Sequence, residues 1–155
     1  IGTGYDVHEL TPGRELILGG VKIPFEKGLS GHSDADVLVH AVMDAVLSAA
    51  GLPDIGVLFP VNDSSLDGIS SMMLLDRVRE KTADYEILNL SAVVMAEKPR
   101  LAEVIPVMRA KIADKLKIGF DAVNISATTT EKLGIVGEGR GMAASATVLM
   151  RKKSQ

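Results

Sequence analysis

All three histidines of the chain fall within its first 40 residues, and each stands among polar neighbours instead of in an apolar stretch. In Tyr5-Asp6-Val7-His8 the Asp and the His are two apart. On an extended segment both side chains then project from one face, as two ligands of one metal must. Taken alone, Asp-x-His is more often a surface strand end with two ordinary polar residues. The segment 35–50 shifts that balance, because its polar residues are Asp36, His40, Asp44 and Ser48 while every other position is apolar. Four residues at about 100° each overshoot one helical turn by only about 40°, so Asp36, His40 and Asp44 share one face of an otherwise buried helix. An imidazole buried between carboxylates needs a partner. An internal hydrogen-bond network is one answer; a cation is the other, and Asp6 and His8 supply its two missing ligands. Asp6, His8 and His40 would make a 2-His-1-carboxylate site with an open position, which suits a catalytic divalent cation, zinc by preference, and not a closed structural site. Asp36 and Asp44 are left to orient the imidazoles, or to cap or hydrate the helix.

Two further segments invite phosphate. Lys27-Gly28-Leu29-Ser30-Gly31-His32-Ser33-Asp34 runs straight into the predicted helix. Free amides at a helix start favour an anion, with His32 and Ser33 as added donors, although an Asp or Ser N-cap is the default reading of such a loop. Ala127-Thr128-Thr129-Thr130-Glu131-Lys132 follows a predicted strand. Its hydroxyls and amides suit a diphosphate, and Glu131 suits a hard cation such as magnesium; a plain Thr-rich strand end is the commoner meaning of such a run.

These residues must be positioned by a mixed order of elements. Residues 1–7 form a predicted strand, and Glu15–Leu18 and Val21–Pro24 a hairpin about Gly19-Gly20. Helices are predicted at Ala35–Ala50, Ser70–Ala83 and Leu101–Lys117, the last with Pro106 in its first turn or at a kink. Three later strands are predicted at Ile87–Met95, Val123–Thr128 and Met142–Met150. Their second faces carry Asn89 and Ser91, Asn124 and Ser126, and Ser145 and Thr147, small and uncharged where a solvent-facing sheet normally carries Lys and Glu. Such a face either meets other subunits or stands exposed with modest polarity.

With 155 residues, the chain has the size of one domain spanning 1–155, and no repeat or linker divides it. It is 46% apolar with no Trp, two Tyr and three Phe, so its core must be aliphatic. The 17 basic and 20 acidic residues leave a net charge of −3, which argues against a nucleic-acid binder. The absence of Cys excludes disulfides, thiolate ligands and Cys nucleophiles. No apolar run approaches a membrane span and no signal-like start is present, so the expectation is a soluble, cytoplasmic protein. The chain begins at Ile1, and a longer polypeptide upstream stays open.

Gly4-Tyr5-Asp6-Val7-His8, Gly31-His32-Ser33-Asp34-Ala35-Asp36, Asp54-Ile55-Gly56 with Phe59-Pro60, and Ala127-Thr128-Thr129-Thr130-Glu131-Lys132-Leu133-Gly134 together resemble the 2-C-methyl-D-erythritol 2,4-cyclodiphosphate synthases. The likeness covers essentially the whole chain, in order. It implies an α+β fold with a mixed sheet and helices packed on one face, assembled as a homotrimer with sheets facing the threefold axis and active sites between subunits. It implies a lyase that closes 4-diphosphocytidyl-2-C-methyl-D-erythritol 2-phosphate into the cyclic diphosphate with release of CMP, in the non-mevalonate route to isoprenoid precursors. On this likeness zinc sits on Asp6, His8 and His40, while magnesium or manganese near Glu131 bridges the diphosphate. His32, Thr129 and Glu131 would be catalytic. His32 and Ser33 would hold the terminal phosphate, Asp54 and Gly56 the methylerythritol hydroxyls, Ala96, Pro99, Arg100 and Leu101 the cytosine, and Thr128 and Thr129 the cytidine diphosphate.

One departure stands near the C-terminus. Many relatives carry Gly-Arg-Gly-Glu-Gly there, lining a trimer-axis cavity; this chain has Gly137-Glu138-Gly139-Arg140-Gly141, with the charges exchanged. Arg140 then remains as the one cation that each subunit would offer to the axis. Two other functions compete with cyclisation: a metal-dependent phosphodiesterase or pyrophosphatase that uses the same three ligands to activate water, and a non-catalytic metal- or nucleotide-binding scaffold.

Overall fold

The structure is a computed structural model and describes residues 1–154. Among the described residues seven strands form: β1 (Gly2–Pro12), β2 (Leu16–Leu18), β3 (Val21–Ile23), β4 (Lys27–Leu29), β5 (Tyr85–Met95), β6 (Val123–Thr128) and β7 (Gly141–Lys152). The helices are α1 (Val37–Ala49), α2 (Ile55–Leu58), α3 (Ser71–Lys81), α4 (Ile105–Leu116) and α5 (Gly134–Gly137). A five-stranded mixed sheet runs β4-β1-β7-β5-β6, antiparallel except for the β5/β6 pair, and β2 with β3 makes a separate hairpin. This is the expected α+β fold with a mixed sheet. Among the described residues no helix is long and apolar enough to cross a membrane.

One face of the sheet is covered by helices, while the other is largely open, with Ala143 at one end of it buried. On β7 the residues Met142, Ala144, Ala146 and Val148 are buried, as are Leu90, Ala92 and Val94 on β5. Alternation of this kind points one row of side chains at the helices. Helix α1 lies across β1 and β7, α4 lies on β6, and α3 packs against both helices. On the opposite face Ser91 lies abreast of Thr147 and Asn124, and Val93 abreast of Ser145 and Ser126. The small polar residues thus do collect on a single surface, joined there by exposed Tyr5, Val7 and Leu149.

The approach of α1 to β1 sets the geometry of everything that follows. A Cβ on Gly4 would stand 2.0 Å from the Ala41 carbonyl oxygen, and one on Gly2 would stand 2.1 Å from that of Ala45. Two glycines on alternate strand positions face two alanines one helical turn apart, so strand and helix touch backbone to backbone. Gly2, Gly4, Asp6 and His8 share the same parity on β1. The strand therefore carries its two candidate ligands along the helix toward the turn that bears His40.

Element ends differ from expectation for local reasons. The first strand continues to Pro12, since Leu10–Pro12 pair with Lys27–Leu29, a segment expected to be open loop. Helix α1 starts at Val37, two residues late, because Ala35 adopts φ 55° and Asp36 is the N-cap. That carboxylate is fully buried and accepts from the amides of Val39 (3.1 Å), Gly19 (2.9 Å) and Gly20 (2.7 Å). Gly19 and Gly20 form the predicted hairpin turn, with φ 57° and 70°. Consecutive positive φ values are what a tight two-residue turn demands and what glycine allows. Helix α4 begins at Ile105 instead of Leu101, with Pro106 in its first turn, where its missing N–H breaks no bond.

Candidate active site

Three ligand atoms converge where β1 meets α1. Asp6 Oδ2 lies 2.9 Å from His8 Nε2 and 2.9 Å from His40 Nδ1, and the two ring nitrogens are 3.1 Å apart. The far nitrogen of each ring settles its tautomer. His8 Nδ1 is 2.7 Å from the Ser30 carbonyl oxygen, which can only accept, so Nδ1 carries the proton and Nε2 is bare. His40 Nε2 is 2.9 Å from Ser71 Oγ, and Ser71 Oγ in turn lies 2.5 Å from Asp34 Oδ1. A carboxylate only accepts, so the hydroxyl proton goes to Asp34, the hydroxyl oxygen accepts from His40 Nε2–H, and Nδ1 is bare.

With both rings neutral, three lone pairs face one another and no proton lies between them. Only a cation, or a proton captured by the cluster, satisfies such a set. A tetrahedral ion with bonds of about 2.0 Å needs ligand atoms about 3.3 Å apart, close to the separations found. Asp6, His8 and His40 therefore fit a divalent metal.

Charge within the cluster follows from the same contacts. Burial works to raise the Asp6 carboxyl, yet hydrogen bonds and charge from His40 and His8 outweigh it and hold Asp6 well below the usual carboxylate range. Burial likewise opposes a charge on His8, but Asp6 overcomes this and lifts the imidazole above its ordinary 6.5. In metal-stripped protein, the raised His8 stabilises the fold fully below 6.5 and loses that contribution as pH rises through its folded value. Asp6 contributes above 3.8 and loses its part only in strong acid. A metal requires His8 deprotonated, so its own stabilisation grows in the opposite sense. The expected result is that the gap in Tm between metal-loaded and chelator-stripped protein widens from about pH 6 to about pH 8. Thermal melts at several pH values check it, and a gap that narrows would remove His8 from the ligand set.

The triad opens into a cavity of about 220 Å³ lined also by His32, Ser33, Gly56, Phe59 and Leu66. His32 is anchored by Asp67, 3.0 Å from its Nδ1. Asp54 caps α2 through the Val57 amide at 3.0 Å, which presents Gly56 to the cavity. At the start of α1 the Asp36 carboxylate already accepts the Val39 amide, so a negative group of the chain itself occupies the place that an external anion would take.

Of the two roles open to Asp36 and Asp44, orienting an imidazole or serving a helix, the structure shows the second. Neither Asp36 nor Asp44 hydrogen-bonds to an imidazole: Asp36 ties the Gly19-Gly20 turn to α1, and Asp44 accepts from the Ile55 amide at 2.9 Å, setting the start of α2. The side chains behind the His40 ring are Ser71 and, through it, Asp34, with Ser33 Oγ also 3.2 Å from His40 Nε2. Asp34 and Ser71 lie 37 residues apart, and Ser71 opens a helix, where a serine already has a capping meaning, so no local spacing announces them.

A second pocket of about 250 Å³ gathers Ala96, Pro99, Arg100 and Leu101 with Thr128 and Thr129. These six residues are neighbours, and none of them lines the cavity at Asp6, His8 and His40. Thr129 Oγ1 donates to Glu131 at 3.1 Å. Glu131 and Lys132 adopt φ 54° and 64°, strained values for side chains of this size. Glu97, which the sequence did not single out, holds this turn by accepting from the Thr130 amide at 2.9 Å and the Lys132 amide at 3.4 Å. Arg140 stands beside Val7, Glu9 and Ile135 and pairs with Glu138 of its own chain at 3.0 Å.

Comparison with known proteins agrees with this geometry. The chain is 54% identical over 154 residues to the 2-C-methyl-D-erythritol 2,4-cyclodiphosphate synthase of Desulforamulus reducens, covering 98% of each, and 53% identical over 148 residues to that of Alkaliphilus oremlandii, covering 94% of each. Among solved structures, the bifunctional IspDF of Campylobacter jejuni superposes with a TM-score of 0.95 at 41% identity over 99% of this chain, which spans 42% of that longer protein. Plasmodium falciparum IspF in complex with CDP superposes with a TM-score of 0.86 at 32% identity, covering 99% of this chain and 96% of the other. Residues 1–151 match the model of the YgbB family, and the chain belongs to that family, whose curated relatives here are 2-C-methyl-D-erythritol 2,4-cyclodiphosphate synthases.

Proposed function

We propose that the chain converts 4-diphosphocytidyl-2-C-methyl-D-erythritol 2-phosphate into 2-C-methyl-D-erythritol 2,4-cyclodiphosphate and CMP, the cyclodiphosphate synthase step of the non-mevalonate isoprenoid route. The observation that carries the reading is the triad of bare lone pairs opening on a cavity lined by His32, Ser33 and Gly56. An oxygen of the 2-phosphate bonds to the β-phosphorus, the bond from that phosphorus to the α-phosphate oxygen breaks, and CMP leaves with the electron pair. The step is an in-line exchange at phosphorus, so it calls for alignment and charge neutralisation more than for a protein nucleophile.

Zinc on Asp6, His8 and His40, with magnesium or manganese near Glu131, would supply positive charge to the diphosphate oxygens. The protein's own residues do the rest. His32 and Ser33 hold the 2-phosphate, Asp54 and Gly56 receive the methylerythritol hydroxyls, and Ala96, Pro99, Arg100 and Leu101 take the cytosine. Thr128 and Thr129 hold the nucleotide diphosphate, with Thr129 donating to Glu131 and fixing its carboxylate. The base is read without an aromatic stack, a reading supported by the lining of its pocket, which holds no aromatic side chain.

One substrate has to reach both pockets. In a single chain they share no lining residue, and this supports a homotrimer in which the metal cavity of one subunit faces the base pocket of the next. The uncovered small-residue face of the sheet supports the same assembly, with the sheets turned toward the threefold axis. The hydrolytic alternative gains nothing from the relatives, which carry the synthase name. Incubation of metal-loaded protein with the substrate is expected to give equal amounts of CMP and cyclic product, and native mass measurement is expected to give three chains with one zinc each. A linear hydrolysis product would overturn cyclisation, and a monomeric mass at working activity would overturn the shared site.

A further inference from the structure

The least exposed ligand of the metal triad is backed by Ser71 and Asp34, two residues that the proposed reaction does not use. His40 is only 8% exposed, and the Nε2 side of its ring meets Ser71 Oγ at 2.9 Å and Ser33 Oγ at 3.2 Å. Ser71 is fully buried. Its hydroxyl reaches Asp34 Oδ1 at 2.5 Å and its amide donates to Asp34 Oδ2 at 3.0 Å, so one carboxylate accepts from both donors of a single residue. Asp34 is itself held, its Oδ1 accepting from the Asp36 amide at 3.2 Å and its own amide donating to the Ile69 carbonyl at 3.1 Å. The segment before α1 and the start of α3 are thereby locked together behind the ring.

We propose that Asp34 and Ser71 are positioning residues for the metal, forming a carboxylate–hydroxyl–imidazole chain that fixes both the tautomer and the orientation of His40. Direction is imposed from the carboxylate end. Asp34 accepts, so Ser71 donates to it; Ser71 Oγ then accepts from His40 Nε2–H, and Nδ1 faces Asp6 and His8 without a proton. Remove the hydroxyl and the ring loses the nearer of its two partners and with it the direction set by Asp34; Ser33 Oγ, which accepts from the Ala35 amide, can donate to Nε2 as well as accept from it and so fixes no tautomer. The proton can then move to Nδ1, where it blocks the metal, or the ring can rotate. The two histidines are secured differently: His8 by the Ser30 backbone carbonyl, which no substitution deletes, and His40 by side chains. Sensitivity to mutation should therefore be confined to the His40 side.

This inference rests on the metal reading of Asp6, His8 and His40, and the experiment separates the two. Zn²⁺ affinity is measured by chelator competition on wild type, Ser71→Ala, Ser71→Thr, Asp34→Asn, the Asp34→Asn/Ser71→Ala double variant and His8→Ala. Ser71→Ala and Asp34→Asn are each expected to weaken Zn²⁺ by about 10- to 100-fold, the usual cost of losing a partner behind a ligand. The double variant should lose no more than the worse single one, because both act through one chain. Ser71→Thr, which keeps the hydroxyl, should restore most of the affinity. Proton–nitrogen NMR of the ring nitrogens reads the mechanism directly: the His40 Nε2–H signal should shift or vanish in Ser71→Ala, while His8 Nδ1–H stays in place. If Ser71→Ala does not fold, Asp34→Asn carries the test, since it leaves an acceptor for the Ser71 amide. Wild-type affinity in Ser71→Ala or Asp34→Asn, with His8→Ala having lost the metal, overturns the proposal alone. Wild-type affinity in His8→Ala overturns the metal reading and the proposal with it.

Discussion

His8→Ala is expected to lose stoichiometric zinc and to slow CMP release by about 10³-fold or more, while keeping the fold. The choice of His8 over His40 matters. His40 is nearly buried and satisfies Ser71 and Ser33 through its far nitrogen, so deleting it would also leave a hole and two stranded hydroxyls. The His8 side chain is 20% exposed, and its far nitrogen meets only the exposed Ser30 carbonyl, which water can take over. What the alanine variant keeps is one carboxylate and one imidazole 2.9 Å apart, a pair that can share a proton and has little need of a metal. The loss of rate follows from electrostatics. Closing the ring brings a 2-phosphate against a diphosphate, and without local positive charge the two anions repel across the distance at which they must bond. Metal content by mass spectrometry and CMP release in zinc-replete buffer provide the measurement. Wild-type turnover by a variant that holds no zinc would detach the triad from the chemistry, whereas parallel loss of both ties them together.

Local periodicity made the triad legible. Asp6 and His8 share a face because strands alternate, His40 marks the polar stripe of α1 because helices repeat near four, and both rules operate within a few residues. The same locality explains what stayed hidden. Asp36 lies on the stripe with His40, yet it caps the helix and turns its carboxylate toward the Gly19 and Gly20 amides of a hairpin, 17 and 16 residues upstream. Asp44 is likewise taken up by α2. The partners that do hold His40 come from two separate segments, brought together only when α3 docks beside α1. Glu97 belongs to the same class, reaching from the end of β5 to the Thr130 and Lys132 amides. Sheet order, and with it the open part of the face bearing Tyr5, Val7 and Leu149, depends on which strands pair, which alternation alone does not say.

Gly4→Ala is expected to cost about 3 kcal/mol or more of stability and to abolish metal binding at the same time, a double effect that few single methyl groups produce. The added carbon would sit 2.0 Å from the Ala41 carbonyl oxygen and 2.8 Å from the Ala45 amide nitrogen, both backbone atoms of α1, so no side chain can swing aside to admit it. Strand and helix must part by about 1 Å or more to restore ordinary contact, and interiors this dense resist such a shift. From Val37 to Leu47 every residue of α1 except Asp44 is buried, so the helix has no open side into which to retreat. Movement at Ala41 carries His40, its immediate neighbour, away from Asp6 and His8. Ligand atoms now 2.9 to 3.1 Å apart would then spread beyond the reach of one small cation. Gly13→Ala is the matched control. Its φ is 80° and nothing lies within 4 Å of the added carbon, so it should cost only about 1 kcal/mol of backbone strain and leave zinc affinity unchanged. Denaturant unfolding with chelator competition on both variants tests the pair. If Gly4→Ala were to melt like wild type, or to bind zinc like wild type, the backbone contact between β1 and α1 could not be what sets the metal site. Loss of both properties in Gly4→Ala, beside a Gly13→Ala protein that keeps its metal, would place the origin of the site in two small residues that carry no chemistry of their own.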